Sequence, residues 1–392
     1  MHHFIIANKS TWISSGSNRA TGLTETDQNF GKDQILELKK VFYNNSFDYP
    51  TRVLVQFPLT TISSSIVAND SGIGTEHSSG RTKWNLRLYE AEGTQELSTE
   101  YKLAAFPLSQ SWDEGRGKFG DNPKVTDGAS WDNTTNKPNA PNPLTWSYGD
   151  GTSWAGGSYI SGSTTDASQT FEYESPDVNM NVTNIVRDWF DGDIDVGNNG
   201  LILTFSGSQE TDTQTFGELK FFSSDTHTIY PPKLEVKWND INNCTGNYTG
   251  SMLQITSSGL IDHYLYPVGM KKSYHVDELG KFRFGIRKRY IKKSFSESVQ
   301  TVTGSYIPPN SGSYSIVDLA SGETIVPFED IDGTSYAKLG CDGSTTEDGH
   351  NYFNQWFSGF EPNRYYKILI KIKYDDGQEV IYDEDYEFKV VN

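Results

Sequence analysis

The chain has 392 residues, and 33 Lys and Arg against 51 Asp and Glu give a formal net charge of −18 at pH 7. That length predicts two or three domains. The acidic balance argues against a general nucleic-acid binder, because such proteins need a positive surface to displace counterions from phosphate. No stretch of the sequence approaches the roughly 20 apolar residues of a membrane-spanning helix, so we expect no membrane partner.

The composition is typical of all-β proteins. Aromatic residues make up 13% of the chain, with Gly, Ser, Thr and Asn between short apolar runs. Aromatic side chains suit a pleated, half-buried surface, and Gly and Asn suit tight turns. Cys244 and Cys341 lie far apart in the sequence and form no ligand cluster, so we expect free thiols rather than a disulfide framework or a zinc site.

The N-terminal part begins with alternating strands. Residues 53–59 and 84–92 place apolar side chains at every second position, which predicts strands with one buried face. Residues 109–168 then carry many Gly, Asn, Pro, Asp and Trp residues with little periodicity. A loop of that length is usually functional or packed by its own side chains, and its tryptophans are the expected anchors.

One helix is predicted at residues 181–190, NVTNIVRDWF. Asn181 can cap the exposed amides, and the apolar residues recur at the i, i+3, i+4, i+7 spacing of a helix with one buried face. Residues 200–205, 217–224 and 232–238 read as the strands that complete the sheet.

Several short motifs occur in one order with sensible spacing across residues 1–238. They are NFGKDQILEL (29–38), RVLVQFPL (52–59), LRLYE (86–90), WDEGRG (112–117), GASW (128–131), NVTNIVRDWFDG (181–192) and NNGLIL (198–203). Together they resemble the DNRLRE domain, a jelly-roll sandwich related to carbohydrate-binding modules and found in secreted enzymes, adhesins and phage proteins. The resemblance implies a jelly-roll β-sandwich over residues 1–238 and does not imply one activity.

A polar, Gly-containing linker is predicted at residues 239–250, followed by a second domain at 251–392. Residues 281–290 alternate as a strand, and residues 365–391 contain a DDGQ turn between two alternating runs, which predicts a hairpin. Tyr365 and Tyr366 precede a long apolar strand, an arrangement similar to the tyrosine corner of immunoglobulin-like sandwiches. This part resembles C-terminal domains of virion structural proteins of tailed phages, which implies an immunoglobulin-like β-sandwich.

Two kinds of candidate site follow from the loops. Aromatic side chains of the long loop could stack on sugar rings, although packing of the loop is the favoured interpretation; they are Trp131, Trp146, Trp154 and Tyr159. The acidic loop after the helix contains Asp191, Asp193 and Asp195, which could hold a structural calcium ion. The EF-hand pattern fails there, and a solvated turn is the preferred reading.

A basic island interrupts the acidic second domain, and it consists of Lys281, Arg283, Arg287, Lys288, Arg289, Lys292 and Lys293. Two interpretations have equal weight. The cations could pair across strands within the domain, where an exposed pair contributes about 0 to 1 kcal/mol. They could instead dock a neighbouring subunit, since opposite charges set register and orientation.

We therefore expect a non-enzymatic structural protein of a tailed-phage virion, in the tail, neck or capsid surface, that acts through assembly contacts. No secretory signal is apparent, so we expect synthesis in the host cytoplasm, with copies of the chain and other virion proteins as partners and no cofactor. The alternative is a carbohydrate-binding or host-adhesion module that uses the Trp-rich loop. A third possibility is a glycan-degrading enzyme that uses acids of the same loop, namely Asp113, Glu114, Asp121 and Asp127.

Overall fold

The computed structural model describes most of the chain, and it is all-β, with 45% of residues in strands and 10% in short helices. This confirms the predicted fold class of packed β-sheets. The described residues are 1–16, 24–40, 49–67, 72–92, 100–136, 144–148, 152–153, 155–162, 167–172, 177–191, 197–212, 217–256, 263–290, 295, 299, 302–330, 335–343 and 349–392.

The strands and helices follow one another in chain order. The strands are β1 (His2–Ile6), β2 (Lys9–Ser14), β3 (Ile35–Lys40), β4 (Thr51–Gln56), β5 (Lys83–Leu88), β6 (Glu90–Glu92), β7 (Glu100–Pro107), β8 (Asn133–Thr135), β9 (Leu144–Thr145), β10 (Ser147–Tyr148), β11 (Thr152–Ser153), β12 (Ala167–Glu172), β13 (Val178–Asn181), β14 (Leu201–Phe205), β15 (Gly217–Phe222), β16 (Lys233–Lys237), β17 (Leu253–Gln254), β18 (His263–Val268), β19 (Ser273–His275), β20 (Leu279–Lys288), β21 (Ser305–Tyr306), β22 (Gly312–Asp318), β23 (Thr324–Val326), β24 (Gly340–Asp342), β25 (His350–Trp356), β26 (Tyr365–Lys373) and β27 (Glu379–Val391). The helices are α1 (Leu59–Val67), α2 (Ile73–Ser78), α3 (Thr183–Asp191), α4 (Ser208–Thr211) and α5 (Gly246–Thr249).

The chain divides into two compact units. The N-terminal unit consists of Ile5–Ser65 and Lys83–Val236, and the C-terminal unit consists of Met1–Phe4, Ile66–Thr82 and Lys237–Asn392. Residues 239–250, predicted as a linker, belong to the C-terminal unit and contain α5. None of the described helices is both long and apolar enough to cross a membrane.

A five-stranded antiparallel sheet of order β12-β7-β14-β4-β2 forms the centre of the N-terminal unit. Strand β14 pairs with β4 on one side and β7 on the other, and all five residues of its mainly apolar sequence are buried. Strand β5 lies between β16 and β13 in a second sheet, and β15 lies between β3 and β6 in a third. The predicted strands of this unit therefore form.

Helix α3 confirms the helix predicted from its periodicity. The side-chain oxygen of Asn181 accepts hydrogen bonds from the amide of Thr183 at 3.0 Å and from its hydroxyl at 2.6 Å. Ile185, Val186 and Trp189 are buried. The cap satisfies an amide that has no partner within the helix, and the apolar face supplies the burial that holds a short helix in place.

The C-terminal unit contains two sheets whose apolar side chains form one core. One sheet has the order β17-β21-β20-β25-β24 with β18 also paired to β20, and the other has the order β19-β27-β26-β22-β23. Strands β20, β25, β26 and β27 all contribute to the core, and Tyr314 of β22 stacks on Phe353 of β25 with ring centroids 3.8 Å apart. This is the sandwich arrangement, in which the inner faces of two sheets interdigitate.

Two local predictions for this unit are confirmed. The DDGQ turn joins β26 to β27, with Gly377 at φ +85°, a conformation that favours glycine. The hydroxyl of Tyr366 donates a hydrogen bond to the carbonyl of Glu361 at 3.0 Å. That bond back to the preceding chain is the tyrosine-corner contact expected of an immunoglobulin-like sandwich.

The expectation of free thiols was wrong, because Cys244 and Cys341 form a disulfide bond. Their Cα atoms are 4.9 Å apart although 97 positions separate them in the sequence. Strand β24 brings them together, since the amide of Cys341 donates to the carbonyl of Asn242 at 3.1 Å. The side chain of Asn351 fixes the same region by donating to the carbonyls of Ile307 at 3.1 Å and Gly340 at 3.3 Å.

Burial of His3 makes the C-terminal unit sensitive to acid. Burial lowers the pKa of His3 to about 4, against 6.5 for an ordinary histidine. As the pH falls below 6.5, His3 binds a proton in the unfolded chain but stays neutral in the folded one, and this favours unfolding. The free energy of unfolding is therefore unaffected by His3 above pH 6.5 and decreases as the pH falls towards 4. We expect a loss of about 3 kcal/mol over that window.

Urea unfolding of the full chain at pH 7.5 and pH 4 measures this loss, with His3→Phe as the matched variant. Phenylalanine keeps an aromatic ring at the edge-to-face contact with Trp356, where the centroids are 6.1 Å apart, but cannot titrate. The variant should lose about 3 kcal/mol less than the wild type between the two pH values. Identical pH dependences of the two proteins would contradict the assignment.

Candidate functional site

The Trp-rich loop of the N-terminal unit is anchored by two buried tryptophans. Trp112 and Trp146 pack in one apolar cluster with residues of β2, β4 and β14. The indole N–H of Trp146 donates to the carbonyl of Ser130 at 2.8 Å, and that of Trp112 donates to the carbonyl of Asn199 at 2.9 Å. Trp146 has 0% of its surface exposed, so it presents no face to a sugar ring. Trp154 lies outside the described residues.

Trp131 and Tyr159 remain partly exposed but share one cation. The guanidinium of Arg52 lies 5.0 Å from the ring centroid of Trp131 and 5.7 Å from that of Tyr159. Arg52 is held by the carboxylate of Glu210 at 2.7 Å. A Cβ atom added at Gly156 would lie 2.7 Å from the ring of Trp131, so this glycine lets the backbone pass close to the indole. Both rings therefore have a packing role.

A cavity of about 600 Å³ in the N-terminal unit is lined by side chains that include Gln110, Thr134 and Asn199. Its lining residues in the described part of the loop are polar or aliphatic and include no aromatic ring. Of the candidate glycan-contact rings that the structure describes, Trp131, Trp146 and Tyr159, none lines this cavity.

The acids of the loop are tied to its scaffold. The Glu114 carboxylate accepts from the Lys32 ammonium at 2.6 Å and from the Ser10 amide at 3.0 Å. Asp113 accepts from the Thr135 hydroxyl at 2.6 Å, and Asp127 pairs with the Arg116 guanidinium at 2.5 Å. These contacts connect the loop to strands and to itself.

The candidate calcium ligands are only partly described. Asp191 is the last residue of α3 and is exposed, whereas Asp193 and Asp195 lie outside the described residues. Within the part of the chain that the structure describes, no three His, Cys, Asp or Glu side chains are grouped closely enough to hold a metal ion.

Three cations of the basic island have carboxylate partners in the same unit. The Lys281 ammonium and the Arg283 guanidinium both reach Asp342, at 2.5 Å and 2.7 Å. Burial alone would raise the pKa of Asp342, but the two cations outweigh it and the pKa is lowered. Arg289 pairs with Glu384 at 2.9 Å. Lys292 and Lys293 lie outside the described residues.

Arg287 instead lies over an aromatic face of the C-terminal unit. Its guanidinium is 5.0 Å from the ring centroid of Tyr264, which is its cross-strand neighbour on β18. Tyr266, two positions along β18, faces Gly285, and the two tyrosine rings are nearly parallel at 19° with centroids 6.3 Å apart. We refer to Tyr264, Tyr266 and Arg287 as the Tyr–Arg face.

A cavity of about 410 Å³ opens at the Tyr–Arg face, and His350 and Met252 also line it. Arg287 belongs to the basic island predicted from the sequence, whereas neither tyrosine was predicted as a site residue. The signal that identifies them is the alternation in HYLYPV, residues 263–268, where Tyr264 and Tyr266 share one side of the strand. The sequence does not show that β18 pairs with β20, and that pairing is what places the two tyrosines beside Arg287 and Gly285.

Large apolar side chains are exposed along the segment that follows β20. We call residues 288–302 the contact segment, of which residues 288–290, 295, 299 and 302 are described. Phe295 and Val299 are almost wholly exposed, Tyr290 is 76% exposed and Val302 is 45% exposed. Lys288 adds an exposed cation at the start of the segment.

No protein-family model matches the chain, and no curated protein matches it in sequence.

Proposed function

We propose that this chain is a non-enzymatic structural protein of a tailed-phage virion, built into the tail, neck or capsid surface. Its work would be assembly through contacts with copies of itself and with other virion proteins. The sequence resemblances to the DNRLRE domain and to C-terminal domains of phage virion proteins supply the setting. The contact segment supplies the surface that carries the proposal.

The candidate interface of this proposal is a group of exposed apolar side chains that lie close together in the sequence. Single exposed apolar residues are common on proteins and need no explanation. The contact segment differs because Tyr290, Phe295, Val299 and Val302 fall within thirteen positions and all are exposed. Covering them would remove apolar surface from water, at roughly 25 cal/mol for each Å² buried.

Charge favours another copy of this acidic chain, or a similarly acidic virion protein, as the partner. The contact segment is basic, whereas the chain carries a net charge of −18. The outer side of β27 provides one complementary surface. Two carboxylates there, Asp383 and Asp385, share the single cation of Lys367, at 2.7 Å and 3.0 Å, so negative charge is in excess. Opposite potentials of this kind set the orientation of the partners more than the strength of the contact.

The test is self-association of the purified full chain, measured by light scattering over a concentration series. The double variant Phe295→Asp/Val299→Asp should weaken association at least tenfold, because it places two charges in the apolar contact. The control is Leu144→Asp, which puts a charge at an exposed leucine of the N-terminal unit, 63% exposed, and should leave association unchanged.

Mass spectrometry of particles purified from a culture that encodes the chain tests the virion setting itself. The chain should be present in stoichiometric amounts. A chain that stays monomeric at all concentrations and is missing from the particles would refute the proposal. So would a stable interface burying well under about 1,000 Å² in the assembled particle, because specific contacts exceed that area.

A further inference from the structure

The Tyr–Arg face has the features of a small-molecule site. Its cavity of about 410 Å³ falls in the range of roughly 300 to 1,000 Å³ that ligand pockets occupy. Both tyrosines are half-buried and line the cavity, so their rings are held in place while part of each surface remains accessible. Rings that are already fixed lose little conformational entropy when a ligand binds.

Gly285 is what allows Tyr266 to lie flat. A Cβ atom at this position would overlap the ring and hydroxyl of Tyr266. The ring therefore covers the bare backbone of its cross-strand neighbour, a known use of glycine opposite an aromatic residue in a sheet. With one side against the strand, the other side of the ring is available to a flat, apolar surface in the cavity.

Arg287 places a guanidinium beside the two tyrosine rings. Lys281, Arg283 and Arg289 have carboxylate partners within the unit, whereas the contacts described for Arg287 are the ring of Tyr264 and the carbonyl of Lys288. A guanidinium presents several N–H donors in a plane, which suits a carboxylate held by two parallel hydrogen bonds. His350 is a further ring-nitrogen group at the same cavity.

We propose that the Tyr–Arg face binds a carboxylated saccharide of the uronic or sialic acid type. The C–H face of the sugar ring would lie on Tyr266, and the sugar carboxylate would be held by Arg287. One guanidinium matches one carboxylate, and His350, which lines the cavity, offers its ring nitrogens to the sugar hydroxyls. The ligand carries a carboxylate because Arg287 supplies one planar guanidinium, which matches two parallel hydrogen bonds to a single carboxylate rather than the several charges of a polyphosphate.

The inference assigns glycan recognition to the C-terminal unit rather than to the Trp-rich loop. Val302 belongs both to the contact segment and to the lining of this cavity, so binding is measured on the assembly variant as well as on the wild type. Calorimetric titration of the full chain with a tetragalacturonate measures it. The neutral tetrasaccharide in which each carboxylate is reduced to a hydroxymethyl group is the matched ligand, and a short oligothymidylate is the competing chemistry. We expect binding of the uronate at least tenfold tighter than binding of either comparison ligand.

Variants separate the role of each group. Arg287→Gln and Tyr266→Ala should each weaken uronate binding at least tenfold, and Gly285→Ala should do the same without any change in charge. Lys288→Gln removes an equal charge one residue from Arg287 and should alter binding less than about twofold. Thermal unfolding of each variant checks that the unit is still folded.

Three results would overturn the inference: no uronate binding, equal binding of the neutral tetrasaccharide, or tighter binding of the oligothymidylate. An equal loss with Lys288→Gln and Arg287→Gln would also overturn it, because that would reveal general charge attraction. Titration of the assembly variant Phe295→Asp/Val299→Asp distinguishes a failure of the glycan proposal from a failure of the assembly proposal. Uronate binding should persist in that variant whether or not the chain assembles.

Discussion

Reduction of the Cys244–Cys341 disulfide is expected to lower the free energy of unfolding of the C-terminal unit by about 4 kcal/mol and to leave the N-terminal unit unchanged. The bond closes a loop of 97 positions. In the chain-entropy account, a cross-link restricts the unfolded chain, and the effect grows slowly with the size of the loop. A loop of about 100 residues gives about 4.7 kcal/mol by that account, and measured values are usually somewhat smaller.

The N-terminal unit is a built-in control for this experiment. The sequence contains only two cysteines, and both lie in the C-terminal unit, so a reductant has no thiol target in the other unit. Urea unfolding of the full chain, with and without reductant, would be followed by hydrogen exchange of peptides from each unit. The double variant Cys244→Ser/Cys341→Ser should reproduce the reduced protein without any reductant. Equal shifts in both units, or no shift in either, would contradict the prediction.

The disulfide also bears on where the protein works. Disulfide bonds persist in oxidising surroundings and are rare in the reducing cytosol. A virion protein is made inside a cell and then functions outside it, so a bond that closes after release would stabilise the C-terminal unit where it is needed. The same observation shows how a conclusion from cysteine spacing can fail, since spacing in the sequence does not report spacing in a sheet.

The sequence predicted those features whose causes are local. Helix α3 could be read from its cap at Asn181 and its apolar period, and the hairpin of β26 and β27 from its DDGQ turn. The tyrosine corner at Tyr366 was also visible, because its hydrogen-bond partner lies only five residues upstream. In each case the residues that determine the structure are neighbours along the chain.

The sequence could not predict features that depend on distant pairing. The disulfide requires β24 to place Cys341 beside residues 242–244, about 100 positions earlier. The Tyr–Arg face requires β18 to pair with β20 in the one register that sets Tyr264 beside Arg287 and Tyr266 beside Gly285. A shift of one residue would turn both tyrosines to the other side of the sheet. Composition alone drew attention to the tryptophans, of which Trp146 is buried.

A buried ion pair in the N-terminal unit joins two neighbouring strands. The Nε atom of Arg87 on β5 donates to Oε2 of Glu235 on β16 at 2.7 Å, and their side chains are 10% and 0% exposed. Burial alone would lower the pKa of Arg87, but the Glu235 carboxylate and the Tyr89 hydroxyl outweigh it, and the pKa is raised. Arg87 therefore stays charged in the core, and its charge depends on a carboxylate nearby.

Glu235→Gln is expected to lower the free energy of unfolding of the N-terminal unit by about 3 to 5 kcal/mol, because it leaves a buried guanidinium without the opposing charge. The side chain keeps its shape, so lost packing does not account for the effect. The matched control is the double variant Arg87→Met/Glu235→Leu, which removes both charges and should recover most of the loss. Urea unfolding of the full chain, with peptides of β5 and β16 followed by hydrogen exchange, measures both variants. A cost below about 1 kcal/mol for Glu235→Gln would contradict the prediction and show that solvent reaches Arg87. A double variant as unstable as the single one would show that the apolar pair cannot fill the same space.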